Sequence, residues 1–225
     1  MKIFSVCNMP YDNFLAENSS KLEAESLLIL GFGCLPTIDL VKEFNAKSDV
    51  IKGLAYLSKA RNLCIVACFF AKLYEKTYLS SICIDKGVIL GINDATHNLN
   101  KAEFDVGHSF RIYNTSLGRF GIVLQDDIFF PEVARGISKN KSEFILYLSK
   151  EKNCEILETA LKYNAICNGK TVVALCADGF LTISPFGEIG VEDRQQFAFS
   201  NVKILNNFNM LRNLREEIYN DFLSN

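Results

Sequence analysis

The sequence lacks an excess of charge of one sign. Its 225 residues include 24 Lys and Arg and 26 Asp and Glu, scattered evenly, which gives a formal net charge of −2 at pH 7. Such a chain has no electrostatic field that would gather nucleic acid phosphates or an anionic membrane surface. We therefore expect no nucleic acid and no membrane among its partners.

Long apolar runs are also missing at the amino terminus. The opening stretch, MKIFSVCNMPYDN, has one Lys and a short apolar run that ends at Cys7. This run is far shorter than a secretory signal or a membrane-spanning helix requires. The pattern predicts a cytoplasmic protein.

Metal-ligand spacing is absent as well. The sequence has only two His, and none of its eight Cys form a CxxC pair. Most of the cysteines lie in apolar runs such as CIVACFF and VVALCA, where a free thiol behaves as a small core residue. A zinc site is therefore poorly supported, and a chain of this size in a reducing compartment needs no disulfide framework. We expect neither a metal nor a cofactor.

A large apolar fraction and alternating strand and helix patterns are present. With 49% hydrophobic residues, the chain can bury one large core, so we expect a single domain over 1–225. Short apolar runs predict strands at 3–7, 27–30, 64–70, 78–84, 88–92, 110–113, 120–124, 144–148, 171–176 and 180–183. Helical patterns cover 38–61, 131–139, 155–167 and 210–222. Consecutive strands in 64–94 indicate stacked sheets with helices outside, an α/β fold.

A strand-to-helix corner follows the apolar stretch GRFGIVL. Pro131 suits the first turn of a helix and Glu132 favours its exposed amides, so a helix is predicted to begin there. Gln125, Asp126 and Asp127 then lie in the corner, a place where many α/β hydrolases present a nucleophile. On its own, the corner is more simply interpreted as a polar turn that caps a helix.

Six stretches share their order and spacing with one known family. They are KIFSVCNMPYDN, SLLILGFG, GVILGINDATHNL, EFDVGHSFRIYNTSLGRFGIVLQDDIFFPEVAR, YNAICNGKTVVALCADG and ISPFGEIG. Together they resemble the nitrilase (carbon–nitrogen hydrolase) superfamily over nearly the whole chain. The resemblance implies an α-β-β-α four-layer sandwich.

The resemblance also implies where the family's catalytic Glu, Lys and Cys would lie. The corner matches most closely, through Gly118-Arg119, Gly121, Asp127, Phe130-Pro131-Glu132 and Arg135. At its centre the family has Cys and this chain has Gln125. The same local comparison places the Glu position at Phe32 and the Lys position at Ala95, with His97 kept. Glu103 resembles a supporting second Glu, and Asp127 resembles a position that the family keeps beside its nucleophile.

These replacements remove the chemistry that the resemblance implies. A carboxamide is a very poor nucleophile, a phenyl ring cannot transfer a proton, and a methyl group cannot stabilise negative charge. The sequence therefore predicts a non-catalytic binding or scaffolding protein whose ligand is unknown, with Phe32, Ala95 and Gln125 close together in a relaxed or closed site. The alternative is an atypical amidohydrolase that cleaves small amides or nitriles with a rearranged set of Cys34, Glu103, Asp126 and His97.

Several of these residues also have ordinary structural interpretations. We expect Cys34 to be structural filler and Asp127 to be a helix-entry cap. His97 and His108 lie in polar turns, where a solvated or hydrogen-bonded imidazole is the usual outcome. Glu103 in NLNKAEFD is equally compatible with a surface carboxylate.

A homodimer is the expected assembly. The sequence 210–222 repeats apolar residues at Leu211, Leu214, Ile218 and Phe222, which predicts a helix with one apolar stripe. In the family that the chain resembles, the helix after the corner and the terminal segment help to form a homodimer. A two-fold interface through Pro131–Lys139 and the terminal segment is therefore expected.

Overall fold

The computed structural model describes residues 1–100 and 103–207. Its strands are β1 (Lys2–Val6), β2 (Leu27–Leu30), β3 (Ile38–Asp39), β4 (Cys64–Leu73), β5 (Lys76–Asp85), β6 (Val88–Asp94), β7 (Ile112–Thr115), β8 (Gly118–Leu124), β9 (Phe144–Leu148), β10 (Thr171–Cys176), β11 (Gly179–Ile183), β12 (Ile189–Asp193) and β13 (Phe197–Asn201). Its α-helices are α1 (Tyr11–Asn18), α2 (Leu40–Phe44), α3 (Val50–Arg61), α4 (Pro131–Lys139) and α5 (Glu155–Asn168). Short 3-10 turns cover Ser19–Lys21 and Gln125–Phe129.

The strands form two mixed sheets. The first has the order β13-β1-β2-β4-β5-β6, with β3 beside β4, and its strands β1, β2 and β4 are parallel. The second has the order β12-β11-β10-β9-β8-β7, with β8, β9 and β10 parallel. Because parallel strands end at the same edge of a sheet, the loops after β1 and β2 meet, and so do those after β8 and β9.

Alternate residues of each strand face opposite layers. Leu27 and Val66 of the first sheet pack with Ile122 and Val173 of the second sheet in one buried cluster, the inter-sheet cluster. Leu28 and Ile65 face the other way and pack with Phe14 of α1 and Leu54 of α3 in the first outer cluster. Ile145 and Val172 pack with Ile137 of α4 and Leu161 of α5 in the second outer cluster. This period of two on both sheets produces four layers, and the predicted α-β-β-α sandwich is confirmed.

The predicted helix over 38–61 is wrong as a single element. The structure has β3, then α2, a break at 45–49, and then α3. Ala46 has a φ of +53°, which a right-handed helix cannot contain. Oε1 of Glu43 accepts hydrogen bonds from the backbone N–H of Ile51 at 3.0 Å and from Oγ of Ser48 at 3.2 Å. The side chain of Glu43 therefore satisfies the first turn of α3 and fixes the break.

Other elements differ less from the sequence predictions. The helix at Pro131–Lys139 has its predicted bounds, with Pro131 in the first turn. The strand predicted at 110–113 lies instead at Ile112–Thr115, where it pairs with β8. β13 was not predicted, and it is held by antiparallel pairing with β1. The predicted helix at 210–222 lies outside the described residues. None of the helices that the structure describes has the length and apolar character needed to cross a membrane.

Candidate functional site

The corner after β8 is strained. Gln125 directly follows the strand and has a φ of +49°, after which the 3-10 turn leads to α4. A non-glycine residue in this left-handed region costs roughly 1–2 kcal/mol and persists only where the surroundings enforce it. Sharp turns of this type lift one side chain out of a sheet edge between a strand and a helix. The predicted corner is therefore present, with Gln125 at its tip.

The carboxamide of Gln125 is buried and held in place. Its Oε1 accepts a hydrogen bond from Oγ of Ser149 at 3.0 Å and another from the backbone N–H of Lys150 at 3.1 Å. Ser149 and Lys150 directly follow β9, the parallel neighbour of β8, so their position results from the shared strand ends. Sequence reasoning missed both residues. The one sequence feature that could have indicated them is their position directly after an apolar strand.

Phe32 and Ala95 belong to the inter-sheet cluster. Phe32 lies in the loop after β2, and its ring centroid is 6.3 Å from that of Phe70. Ala95 directly follows β6 and is fully buried; its backbone N–H donates to the carbonyl of Leu79 at 2.9 Å, and its own carbonyl accepts from Gly107 at 2.8 Å. Both side chains are therefore packed among apolar neighbours.

Asp127 connects the corner to the loop after β6. The 2%-exposed carboxylate accepts from the backbone N–H groups of Thr96 at 3.1 Å and His97 at 2.8 Å, and from Oγ1 of Thr96 at 2.8 Å. Burial raises the pKa of Asp127, while the hydrogen bonds from Thr96 and His97 oppose that shift. The prediction that Asp127 caps a helix is wrong, because these donors belong to a loop and α4 has no side-chain cap.

His97 is held between the same carboxylate and an aromatic ring. Its Nδ1 lies 2.9 Å from Oδ1 of Asp127, and its ring stacks on Phe130 with the centroids 3.7 Å apart. Asp126 also contacts the loop after β6, because its Oδ2 accepts a hydrogen bond from the backbone N–H of Leu99 at 2.8 Å. His97 is thus a hydrogen-bonded histidine, whereas His108 is exposed. Both outcomes agree with the ordinary interpretation of a polar turn.

Glu103 is linked to the corner through Lys150. Nζ of Lys150 donates to Oε1 of Glu103 and lies 3.4 Å from Oε1 of Glu151. Burial lowers the pKa of Lys150, but these two carboxylates outweigh it and raise the pKa overall. Lys150 therefore connects Glu103 to Gln125, because its Nζ contacts Glu103 and its backbone N–H donates to Gln125. The side chain of Glu103 remains partly exposed.

Cys34 lies apart from this network. It packs in the first outer cluster rather than between the sheets, and its Sγ donates to the carbonyl of Val6 at 3.4 Å. Burial raises the pKa of its thiol to about 11. The proposed rearranged set is therefore not brought together, because Cys34 lines one pocket and His97 lines another.

The side chains of Phe32, Ala95 and Gln125 are all buried. Three pockets among the described residues have volumes of about 290, 550 and 610 Å³, and none of these three is lined by Phe32, Ala95 or Gln125. Within 1–100 and 103–207, no group of three or more His, Cys, Asp or Glu side chains is arranged to hold a metal ion.

Comparisons with known proteins agree with this architecture. A sequence model of the carbon-nitrogen hydrolase family matches residues 26–192. A carbon-nitrogen hydrolase from Helicobacter pylori G27 has 16% identity and a TM-score of 0.73, covering 100% of this chain and 98% of its own. An amidase from Nesterenkonia sp. has 16% identity and a TM-score of 0.73, with 99% and 96% covered.

A further solved structure has the same fold. It is a CN-hydrolase superfamily protein from Xanthomonas campestris with an arsenic adduct in its active site, with 12% identity, a TM-score of 0.75, and 100% and 97% of the two chains covered. No curated protein matches the sequence. At these identities the solved structures show the fold, whereas the family model covers more than half of the sequence. The chain therefore belongs to the carbon-nitrogen hydrolase family.

Proposed function

We propose that this protein is a catalytically silent member of its family that acts as a binding or scaffolding protein. The observation that carries the proposal is the environment of Gln125. The residue occupies the tip of a strained corner, where the resemblance places a nucleophile, and its carboxamide oxygen is held by Ser149 and Lys150. A neutral carboxamide in these hydrogen bonds has neither the charge nor the proton-transfer partner that attack on a carbonyl carbon requires.

The two other matched positions support the same proposal. Phe32 offers no proton acceptor and Ala95 offers no positive charge, and both are buried in the inter-sheet cluster. Loss of a nucleophile alone lowers kcat on the order of 10⁶ in a well-studied hydrolase. Replacement of all three groups should therefore leave no hydrolysis of the inherited kind.

The second candidate function is an atypical amidohydrolase that acts on small amides or nitriles. It would need a reactive thiol beside a base. Burial raises the pKa of the Cys34 thiol to about 11, so this thiol is protonated at pH 7. Its contacts lie in the first outer cluster, away from His97 and Asp127. These observations favour the silent protein.

Ammonia release from small aliphatic amides and nitriles tests the proposal. We expect no release above the buffer rate at high protein concentration. The informative pair of variants is Cys34→Ser and Cys154→Ser, because the first thiol is buried and the second is exposed. Turnover that disappears in Cys34→Ser and persists in Cys154→Ser would establish the amidohydrolase and contradict the silent protein.

We also propose that the protein is a homodimer. The resemblance implies an interface through α4, and α4 packs beside α5, whose Ile156, Tyr163 and Ile166 are more than 40% exposed. Light scattering at micromolar concentration should then give about twice the chain mass of 25.3 kDa. Ile156→Lys with Ile166→Lys tests whether α5 takes part in the contact. Particles of the chain mass alone would contradict the dimer.

We also propose that the protein is cytoplasmic. All eight cysteines are free thiols, which is the state that a reducing compartment maintains. Fractionation of cells that express the full chain tests this location.

A further inference from the structure

A pocket lies beside the loop that follows β6. It has a volume of about 550 Å³, within the range of about 300–1,000 Å³ typical of small-molecule sites. Its walls come from two segments of that loop, 96–99 and 104–106, and from Phe130 before α4. Phe32, Ala95 and Gln125 do not line it, so the pocket is distinct from the three matched positions.

Apolar side chains are exposed at the wall of this pocket. Leu99 is 65% exposed and Val106 is 40% exposed, and both line the wall together with Phe104 and Phe130. Exposed apolar side chains that share one concave wall can be covered by the apolar part of a ligand. The first requirement that the pocket sets is therefore an apolar body.

Hydrogen bonds fix which nitrogen of His97 carries the proton. Nδ1 lies 2.9 Å from Oδ1 of Asp127 and 3.0 Å from Oγ1 of Thr96. The Thr96 hydroxyl donates its one hydrogen to Asp127, so both neighbours of Nδ1 are acceptors and Nδ1 is the donor. In the neutral imidazole, Nε2 then has a lone pair and no hydrogen.

The lone pair of Nε2 is available to a ligand. Nδ1 faces the buried carboxylate of Asp127 and Phe130 stacks on the ring, yet the side chain of His97 is still 29% exposed. The exposed part is therefore the ring edge away from Asp127, where Nε2 lies, and His97 lines the pocket. Within residues 1–100 and 103–207, Nε2 has no hydrogen-bond partner.

Two further polar groups of the wall are acceptors as well. Oδ1 of Asn98 is buried without a donor among the described residues, while Nδ2 of the same side chain donates to the carbonyl of Phe104 at 2.6 Å. The carboxylate of Asp105 can only accept. The second requirement that the pocket sets is therefore a hydrogen-bond donor.

A neutral donor fits this wall better than a charged one. Asp105 disfavours an anion, and the start of α4, directly after Phe130, carries a partial positive charge that disfavours a cation. Any charged group would also lose hydration against the apolar wall. A hydroxyl group supplies one hydrogen to Nε2 of His97 without that cost.

We propose that this pocket binds a small apolar molecule with a neutral hydroxyl group. The hydroxyl donates to Nε2 of His97, and the apolar body covers Leu99 and Val106. This inference rests on the proposed binding role of the protein and names the chemistry of its ligand. Ammonia release tests whether the protein is silent, and titration with hydroxyl compounds tests the pocket, so the two proposals can fail separately.

Titration of the full-length protein with 4-ethylphenol at pH 8, where an ordinary imidazole is neutral, tests the site by nitrogen-15 NMR of the histidine side chains. The chain has only two His, so the spectrum of His97→Phe assigns the signals. We expect a saturable shift of Nε2 of His97 and no shift at His108. The matched probe 4-ethylanisole lacks the donor and should bind about fivefold more weakly. Phenethylammonium, a charged donor, should also bind more weakly than 4-ethylphenol.

Two variants separate the hydrogen bond from the apolar wall, with ligand-observed NMR giving the affinities. His97→Phe keeps an aromatic ring beside Phe130 but removes Nε2, so the affinity for 4-ethylphenol should fall to that for 4-ethylanisole. His108→Phe, at an exposed position outside the pocket, is the matched control and should keep the preference. Leu99→Ser should weaken both probes in the same proportion, whereas Ile156→Ser, on the exposed face of α5, should weaken neither.

Circular dichroism checks that each variant is folded. If His97→Phe does not fold, the shift of Nε2 in the wild-type protein and the effect of Leu99→Ser still decide the question. A saturable shift of Nε2 with a preference for 4-ethylphenol supports the site. Absence of saturable binding, equal binding of 4-ethylanisole, or tighter binding of phenethylammonium would overturn the proposal. Binding of 4-ethylphenol that both His97→Phe and Leu99→Ser leave unchanged would overturn it as well.

Discussion

Oδ1 of Asp127 lies 2.9 Å from Nδ1 of His97, a residue 30 positions earlier in the chain. The same oxygen also accepts the backbone N–H of His97. One carboxylate at the corner after β8 therefore fixes the loop that begins with Ala95. Because the corner and the loop come from different sheets, this contact joins the two halves of the sandwich at the matched positions.

Asp127→Ala should strongly destabilise the protein. The variant leaves the backbone N–H groups of Thr96 and His97 and the hydroxyl of Thr96 without their acceptor in a buried place. We expect a loss of about 3 kcal/mol in the free energy of unfolding. Urea unfolding followed by circular dichroism measures it.

Asp126→Ala is the control for that loss. Asp126 accepts one hydrogen bond, from the backbone N–H of Leu99, at an exposed position. Its replacement should cost about 1 kcal/mol or less. Equal losses in the two variants would mean that the network around His97 contributes nothing of its own.

The sequence predicted the helix after the corner correctly but not the role of Asp127. The local pattern around Pro131 predicted α4 with its bounds, because a proline and an acidic residue define a helix start without distant partners. The same pattern suggested a cap for Asp127. Its true donors, on Thr96 and His97, lie in the loop after β6, a strand of the other sheet, and no local pattern contains that information.

Gln125→Ala and Gln125→Gly should separate backbone strain from side-chain contacts. Both variants leave Oγ of Ser149 and the N–H of Lys150 without their acceptor. The φ of +49° is unfavourable for Ala and free of strain for Gly. We therefore expect Gln125→Ala to lose about 2 kcal/mol and Gln125→Gly to be the more stable of the two by about 1 kcal/mol.

Thermal unfolding of the two variants measures that difference. In an ordinary helix or strand, Gly is less stable than Ala by roughly 0.5–1 kcal/mol. The opposite order at Gln125 would therefore report the strain directly. The ordinary order would show that the corner relaxes once the side chain is removed.

The segment 38–61, predicted as one helix, is a second place where the structure differs from the sequence prediction. The stretch 45–49 is Asn-Ala-Lys-Ser-Asp, so the apolar repeat is interrupted there, and Ser48 and Asp49 are residue types that often precede a helix. The side chain of Glu43 instead binds the N–H of Ile51, and Ala46 takes a positive φ. The polar stretch therefore indicates a break, whereas the contact of Glu43 with Ile51 that fixes its geometry cannot be predicted from the pattern.

Lys170→Met should stabilise the protein at pH 7. Lys170 is 6% exposed, and burial lowers its pKa, while Glu143 opposes the shift. The folded state therefore disfavours the ammonium form, and its removal should gain about 1 kcal/mol or less. Lys152→Met, at an exposed position, should change stability by less than about 0.5 kcal/mol.

The pH dependence of Lys170→Met has a definite sign. The folded pKa is lower than the ordinary value of 10.5, so between these two values the unfolded chain binds more protons. Wild-type stability should therefore rise with pH in that window relative to Lys170→Met. Urea unfolding at pH 7 and pH 10 should show the gap between the two proteins shrinking, and a constant gap would contradict the lowered pKa.

Phe32 and Ala95 should be energetically coupled if they mark the family's Glu and Lys positions. Phe32→Glu places an unpaired carboxylate in the inter-sheet cluster, which should cost about 3–5 kcal/mol. Adding Ala95→Lys provides the missing partner. The loss of unfolding free energy in the double variant should therefore be smaller, by about 2 kcal/mol, than the sum of the losses in the two single variants. Ala71→Lys, which is buried in the first outer cluster, is the control and should show no coupling to Phe32→Glu.

A change of size tests the same pair without charge. Phe32→Ala should leave a cavity and cost about 3–5 kcal/mol, and Ala95→Leu should crowd the cluster and cost about 1–3 kcal/mol. If the two side chains share one space, Leu at position 95 fills part of the cavity that Phe32→Ala leaves. The double variant should then lose less stability than the two single variants lose together. Additive losses in both cycles would mean that the two positions are not neighbours, and the assignment of Phe32 and Ala95 would then have to be abandoned whatever the activity of the protein.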